Sequence, residues 1–217
     1  MSDVVIKICG LSTRSTLEAA IAAGADMAGF VFFEKSPRHI SLETARDLGA
    51  AAAAGRIAKV ALVVDADDST LDAIVAALAP DLLQLHGKET PERVAAVKAR
   101  FGLPVVKAVG VASAADVESA AAYRGVADLL LFDAKPAPGA TVPGGAGAIF
   151  DWELLRGYSG GNWMLSGGLD PANVAEAVRS TGAPAVDVSS GVERERGVKD
   201  EAKIAAFVSA ARHTGNS

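Results

Sequence analysis

Short apolar, β-branched runs punctuate the chain at 4–8, 28–33, 59–64, 81–85, 104–109, 128–132, 162–165 and 185–188. Runs this short and this continuously apolar suit strands buried on both faces of a parallel sheet. They begin at intervals the size of one βα unit. Between them lie alanine-rich stretches with helix-start signals. Ser15 with Glu18 spells a capping box, and Ser41 precedes Leu42-Glu43. Thr90-Pro91-Glu92 and Asp170-Pro171 each put a capping residue before Pro at the first helical position. Ser113 heads an alanine-rich stretch that runs to Tyr123. A last helix over 200–211 gathers Ile204, Phe207 and Val208 on one face.

Eight strands alternating with about eight helices predict an α/β fold, a single-domain (β/α)₈ TIM barrel over residues 1–217. The chain is short beside the ~250 residues typical of that fold, so its loops must be lean. The rival is an open doubly wound sheet, whose fingerprint G-x-G-x-x-G follows the first strand. Cys9-Gly10-Leu11-Ser12-Thr13 stands there instead. One connection breaks the economy: residues 134–149 hold three prolines and four glycines and fit neither helix nor strand. A loop this long in a compact domain is functional or disordered.

Composition narrows the classes. A single cysteine excludes a disulfide scaffold, and one thiol with three histidines argues against a closed structural zinc site. A net charge of −5 argues against a non-specific nucleic-acid binder. The alanine tract 50–54 is far below the ~20 residues that span a bilayer, and no targeting segment is visible. The expectation is a cytoplasmic protein with no membrane partner, monomeric or homodimeric.

In this fold, reacting groups come from the C-terminal ends of strands. Those ends carry Cys9-Gly10, Gln84-Leu85-His86, Asp133, Ser166-Gly167-Gly168 and Asp187-Val188-Ser189. Alternation puts Lys7 with Cys9, Gln84 with His86, and Asp187 with Ser189 on common faces. A thiol, an ammonium, two carboxylates and an imidazole would then converge on one rim. The cation of Lys7 would favour the Cys9 thiolate and lower the thiol pKa. Asp133 closes an apolar run, either as a helix cap or as a partly desolvated carboxyl suited to donating a proton. His86 is either a hydrogen-bonded core histidine or a substrate contact. Gly144, Gly145 and Gly147, Gly167 and Gly168, and Ser189, Ser190 and Gly191 expose backbone N–H groups suited to a phosphate. Arg38 in Ser36-Pro37-Arg38-His39 is a surface arginine or a planar fork for a carboxylate. The run Glu193-Arg194-Glu195-Arg196 reads as a solvated loop.

With those residues in hand, the chain resembles the phosphoribosylanthranilate isomerases of tryptophan biosynthesis. KICG (7–10), GFVFFEKSPRHIS (29–41), LLQLHGKE (82–89), LLLFDAK (129–135), GGAGAIFDW (144–152), LSGGLDPANV (165–174) and VDVSSGVERERGVKD (186–200) carry the resemblance. It implies an Amadori rearrangement of N-(5-phosphoribosyl)anthranilate to 1-(2-carboxyphenylamino)-1-deoxyribulose 5-phosphate. It further implies Asp133 as general acid and Cys9 as general base. Arg38 would meet the anthranilate carboxylate and Asp187 the sugar or amine region, with Lys7 and His86 also lining the substrate. Proton transfer of this kind needs no metal or redox cofactor. Two rivals remain: a related aminoaldose isomerase of histidine biosynthesis, and a non-catalytic phosphosugar-binding barrel. The first expects aspartates at the ends of strands one and five, where this chain has Cys9 and Lys107-Ala108-Val109-Gly110. Only turnover separates the second.

Overall fold

The computed structural model describes residues 4–135 and 149–213. Eight parallel strands close into a barrel in sequence order. They are β1 (Val5–Cys9), β2 (Met27–Phe32), β3 (Ala58–Val63), β4 (Leu82–Leu85), β5 (Val105–Val111), β6 (Leu129–Ala134), β7 (Trp163–Leu165) and β8 (Ala185–Val188). The predicted runs agree to within a residue or two at each end. The helices are α1 (Arg14–Ala23), α2 (Leu42–Ala54), α3 (Asp68–Leu78), α4 (Pro91–Phe101), α5 (Ala114–Ser119), α6 (Val174–Thr181) and α7 (Glu201–Arg212). No described helix is long and apolar enough to cross a membrane.

Four of the predicted starts hold, and one of them is Ser113, the N-cap of α5. Ser41, Thr90 and Asp200 accept from the backbone N–H three residues on, satisfying a donor the helix leaves open. Two do not. Thr13, not Ser15, caps α1, because Thr13 keeps the extended backbone that a cap needs while Ser15 is already helical. Asp170-Pro171 opens a turn rather than a helix: the Asp170 carboxylate accepts from Ala172 and Asn173 N–H, and Asn173 Oδ1 accepts from Asp170 N–H. That local closure delays α6 to Val174.

Between β6 and β7 the described residues form no α-helix. A single 3₁₀ turn, Trp152–Leu155, stands in its place. Phe132, Tyr158 and Trp163 pack edge-to-face outside β6 and β7, at centroid distances of 5.0 to 6.0 Å. Three aromatic rings thus cover apolar surface that a helix would otherwise bury.

At the amino-terminal end, one device repeats around the barrel. Asp26, Asp81 and Asp128, each placed just before an even strand, accept from the backbone N–H of Ile6, Lys59 and Val105 on the preceding odd strand. These bonds tie neighbouring strands together at the end of the barrel that does no chemistry. The opposite rim is thereby free to carry polar groups chosen for other reasons.

Candidate active site

Inward side chains change character along the barrel axis. Low in the barrel, Val106, Ala108, Leu131, Met164 and Ala185 pack together. Higher up, Lys7, Gln84 and Asp187 are buried, and Cys9, His86 and Asp133 follow at the rim. The alternation read from the sequence brings these groups to one end.

Lys7 Nζ lies 2.7 Å from Asp187 Oδ1, with both side chains buried. Ser166 Oγ donates to the other Asp187 oxygen at 3.2 Å. Burial works against the Lys7 ammonium, but the attraction of Asp187 and Cys9 outweighs it, so Lys7 sits above its ordinary pKa. The same arrangement corrects the expectation for Cys9. Burial pushes its thiol up, and Asp187 pushes it further, against the downward pull of Lys7 and Lys199. Burial is the larger effect, so the pull of Lys7, itself partly offset by Asp187, does not bring the thiol down.

Asp133 lies within β6 rather than just beyond it, so strand pairing with β5 fixes its backbone. Its Oδ1 accepts from Ala134 N–H at 2.9 Å. Its Oδ2 faces His86 Nε2 at 3.4 Å. Gly167 closes on it from the turn after β7: a Cβ there would stand 2.6 Å from Ala134 N and 3.2 Å from Asp133 Oδ1, and its φ of +85° favours glycine besides. The segment behind His86 is clamped. Glu89 accepts from Gly87 and Asp65 N–H and pairs with Lys107 Nζ at 2.7 Å, both side chains buried.

Arg38 is not a solvated surface residue. Its Nε and Nη2 grip the Glu193 carboxylate at 2.6 and 2.9 Å. Lys199 Nζ donates to Glu193 at 2.8 Å and to Ser189 Oγ at 3.1 Å, and Ser189 Oγ donates to the Cys9 carbonyl at 3.1 Å. The charged run read as a solvated loop is therefore only partly so. Glu193 is buried, and it opens a two-stranded hairpin, β9 (Glu193–Glu195) with β10 (Val198–Lys199). Burial opposes the Glu193 charge, yet Arg38, Lys199 and the Gly197 N–H overcome it and hold the carboxyl down at about 2.

The glycine loops after β7 and β8 touch each other. A Cβ on Gly191 would strike the Leu169 carbonyl. Gly167 and Gly168 take left-handed backbones, and Ser190 and Gly191 form a short 3₁₀ turn after β8. Gly144, Gly145 and Gly147 lie outside the described residues. The sequence gives Ser166 a place at a strand end but no role, and does not single out Glu193, Lys199, Glu89 or Lys107 for the site.

Fold and rim together define a class: a (β/α)₈-barrel enzyme with groups able to transfer protons at its carboxyl-terminal end. The family model described as N-(5'phosphoribosyl)anthranilate (PRA) isomerase matches residues 6–210, and the chain belongs to that family. The N-(5'-phosphoribosyl)anthranilate isomerase of Rhodopseudomonas palustris (strain BisB5) is 60% identical over 211 residues, covering 97% of this chain and 96% of its own. The crystal structure of phosphoribosyl anthranilate isomerase from Thermotoga maritima is similar at a TM-score of 0.85 and 35% identity, over 96% of this chain and 98% of that one. Another phosphoribosyl anthranilate isomerase, solved with reduced 1-(o-carboxyphenylamino)-1-deoxyribulose 5-phosphate, matches at a TM-score of 0.82 and 34% identity, over 96% and 98% of the two chains.

Proposed function

We propose that this chain isomerises N-(5'-phosphoribosyl)anthranilate to 1-(2-carboxyphenylamino)-1-deoxyribulose 5-phosphate, the third step of the tryptophan branch from chorismate. The observation that carries the reading is the convergence of one thiol and one carboxyl, from β1 and β6, on the same rim of a barrel of this family. Asp133, as the acid, gives its proton to the furanose ring oxygen. The C1–O bond breaks, and the nitrogen lone pair forms the iminium. Cys9, as the thiolate, takes the C2 proton, and those electrons neutralise the iminium to give an enolamine. The enolamine tautomerises to the ketone with protonation at C1. The cycle closes when the proton count is restored, with Asp133 protonated and Cys9 ionised.

The other roles follow from position. Arg38, its planar guanidinium oriented by Glu193, suits the anthranilate carboxylate. Asp187 and Lys7 neutralise each other beneath the sugar, and His86 lines its edge. The loops bearing Gly167 and Gly168, and Ser189, Ser190 and Gly191, take the phosphate with their backbone N–H groups, together with Gly144, Gly145 and Gly147 from outside the described residues. The proposed acid and base come from a single chain, so a monomer or each half of a homodimer carries both. A cytoplasmic location fits the pathway.

Purified, chelator-treated protein is expected to consume the substrate, read as loss of anthranilate-type fluorescence. The gene is expected to restore growth to a tryptophan auxotroph lacking this step and not to the corresponding histidine auxotroph. Turnover that demands a divalent ion, or rescue of the histidine strain alone, would overturn the reading.

Gly29 offers a separate test of Cys9. A Cβ there would lie 2.9 Å from Cys9 Sγ and 3.0 Å from Cys9 Cα. Gly29→Ala is expected to displace the thiol and lower kcat by roughly 10²-fold, as a misplacement of about 1 Å at a reacting group does. Wild-type kcat in a folded Gly29→Ala variant would show that the thiol's position is immaterial.

A further inference from the structure

Gln84 breaks a packing rule. It lies inside the barrel with no exposed surface, and among the described residues its Oε1 has no hydrogen-bond partner. Its neighbours in register are Leu62 on β3 and Val106 on β5, both apolar. A buried, unpaired amide oxygen disfavours the fold, and an apolar side chain of similar length would fill the space without that penalty. Residues that violate a local rule in this way collect at functional sites.

The other end of the amide is engaged. Gln84 Nε2 stands 3.0 Å from His86 Nδ1. An amide N–H donated to Nδ1 makes that nitrogen the acceptor and puts the neutral ring's proton on Nε2. Nε2 faces Asp133 Oδ2 at 3.4 Å, while Oδ1 is held by the Ala134 N–H. The imidazole is thus oriented from behind by an amide and meets a carboxyl in front. The segment that carries it is clamped by the Glu89–Lys107 pair.

We propose that Gln84 and His86 are positioning residues for Asp133. Gln84 fixes the ring, and the ring's Nε2–H fixes the rotation of the carboxyl so that its proton is aimed at the substrate. The contact is long for a hydrogen bond without substrate and tightens when the site fills. The inference rests on Asp133 acting as the acid.

The test uses Gln84→Met and His86→Asn beside Asp133→Asn in the full chain. Gln84→Met is expected to keep or raise Tm, leave KM within about twofold, and lower kcat roughly tenfold or more. His86→Asn is expected to show the same split between kcat and KM with a larger fall. A purely structural Gln84 would give the reverse: a lower Tm with kcat intact. That result, or wild-type kcat in either variant while Asp133→Asn is inactive, overturns the proposal. If Asp133→Asn itself turns over normally, the assignment of the acid falls first, and the pairing falls with it.

Discussion

Asp133→Asn is expected to lower kcat by roughly 10²–10⁴-fold, the range that a positioned general acid contributes, with KM nearly unchanged. The amide is isosteric and can still accept from Ala134 N–H, so β6 and its pairing with β5 should survive. What is lost is the proton for the ring oxygen, without which the sugar does not open. Cys9→Ser should fall comparably, because a hydroxyl is a far weaker base than a thiolate. The wild-type pH profile carries a sign of its own. Burial raises the Cys9 thiol, so the ionised base becomes more abundant as pH rises. Consequently kcat/KM should climb from neutral into alkaline solution, since that ratio reports groups of the free enzyme. Near-wild-type turnover in either variant removes that residue from its role, and a profile flat from about pH 6 to 9 counts against Cys9.

The barrel itself was legible because its signal is local. Eight apolar runs separated by capped, alanine-rich stretches specify strands and helices a few residues at a time, and closure follows from their number. The inward set was legible for the same reason: alternation on β1, β4 and β8 needs only neighbouring residues to place Lys7 with Cys9 and Gln84 with His86. Pairing was not legible. Lys7 meets Asp187 across 180 positions, and Arg38 meets Glu193 across 155. No local pattern encodes which charges find each other through a closed sheet. Depth of burial is not legible either, and burial above all, with Asp187 adding to it, keeps the Cys9 thiol up against the pull of Lys7. Glu193 was hidden differently. Three exposed charged residues, Arg194, Glu195 and Arg196, follow it, and only burial of its own side chain distinguishes it from them. Asp170-Pro171 failed for a third reason: its side chain closes on its own turn, an alternative that competes with helix initiation at every such residue.

Glu193→Gln is expected to destabilise the fold by about 3 kcal/mol at neutral pH. Two routes give that magnitude. Breaking one partner out of a buried ion pair typically costs about 3–5 kcal/mol, because the remaining charges stay buried and uncompensated. Here two cations, Arg38 and Lys199, would share that fate, each with its side chain almost fully enclosed. Linkage gives a similar figure: the folded carboxyl is held at about 2 against an ordinary 4.5, and each unit is worth ~1.4 kcal/mol. The sign follows from the depressed value. This stability is fully present above pH ~4.5 and drains away as pH falls toward 2, because the folded state then must take up a proton it resists. Denaturant unfolding of wild type and Glu193→Gln should therefore differ most at neutral pH and converge as the solution approaches pH ~2. A gap that persists undiminished in acid would mean that the glutamate's shape, rather than its charge, holds the hairpin against Arg38. No gap at neutral pH would mean that the two cations find water or other partners when Glu193 is neutralised.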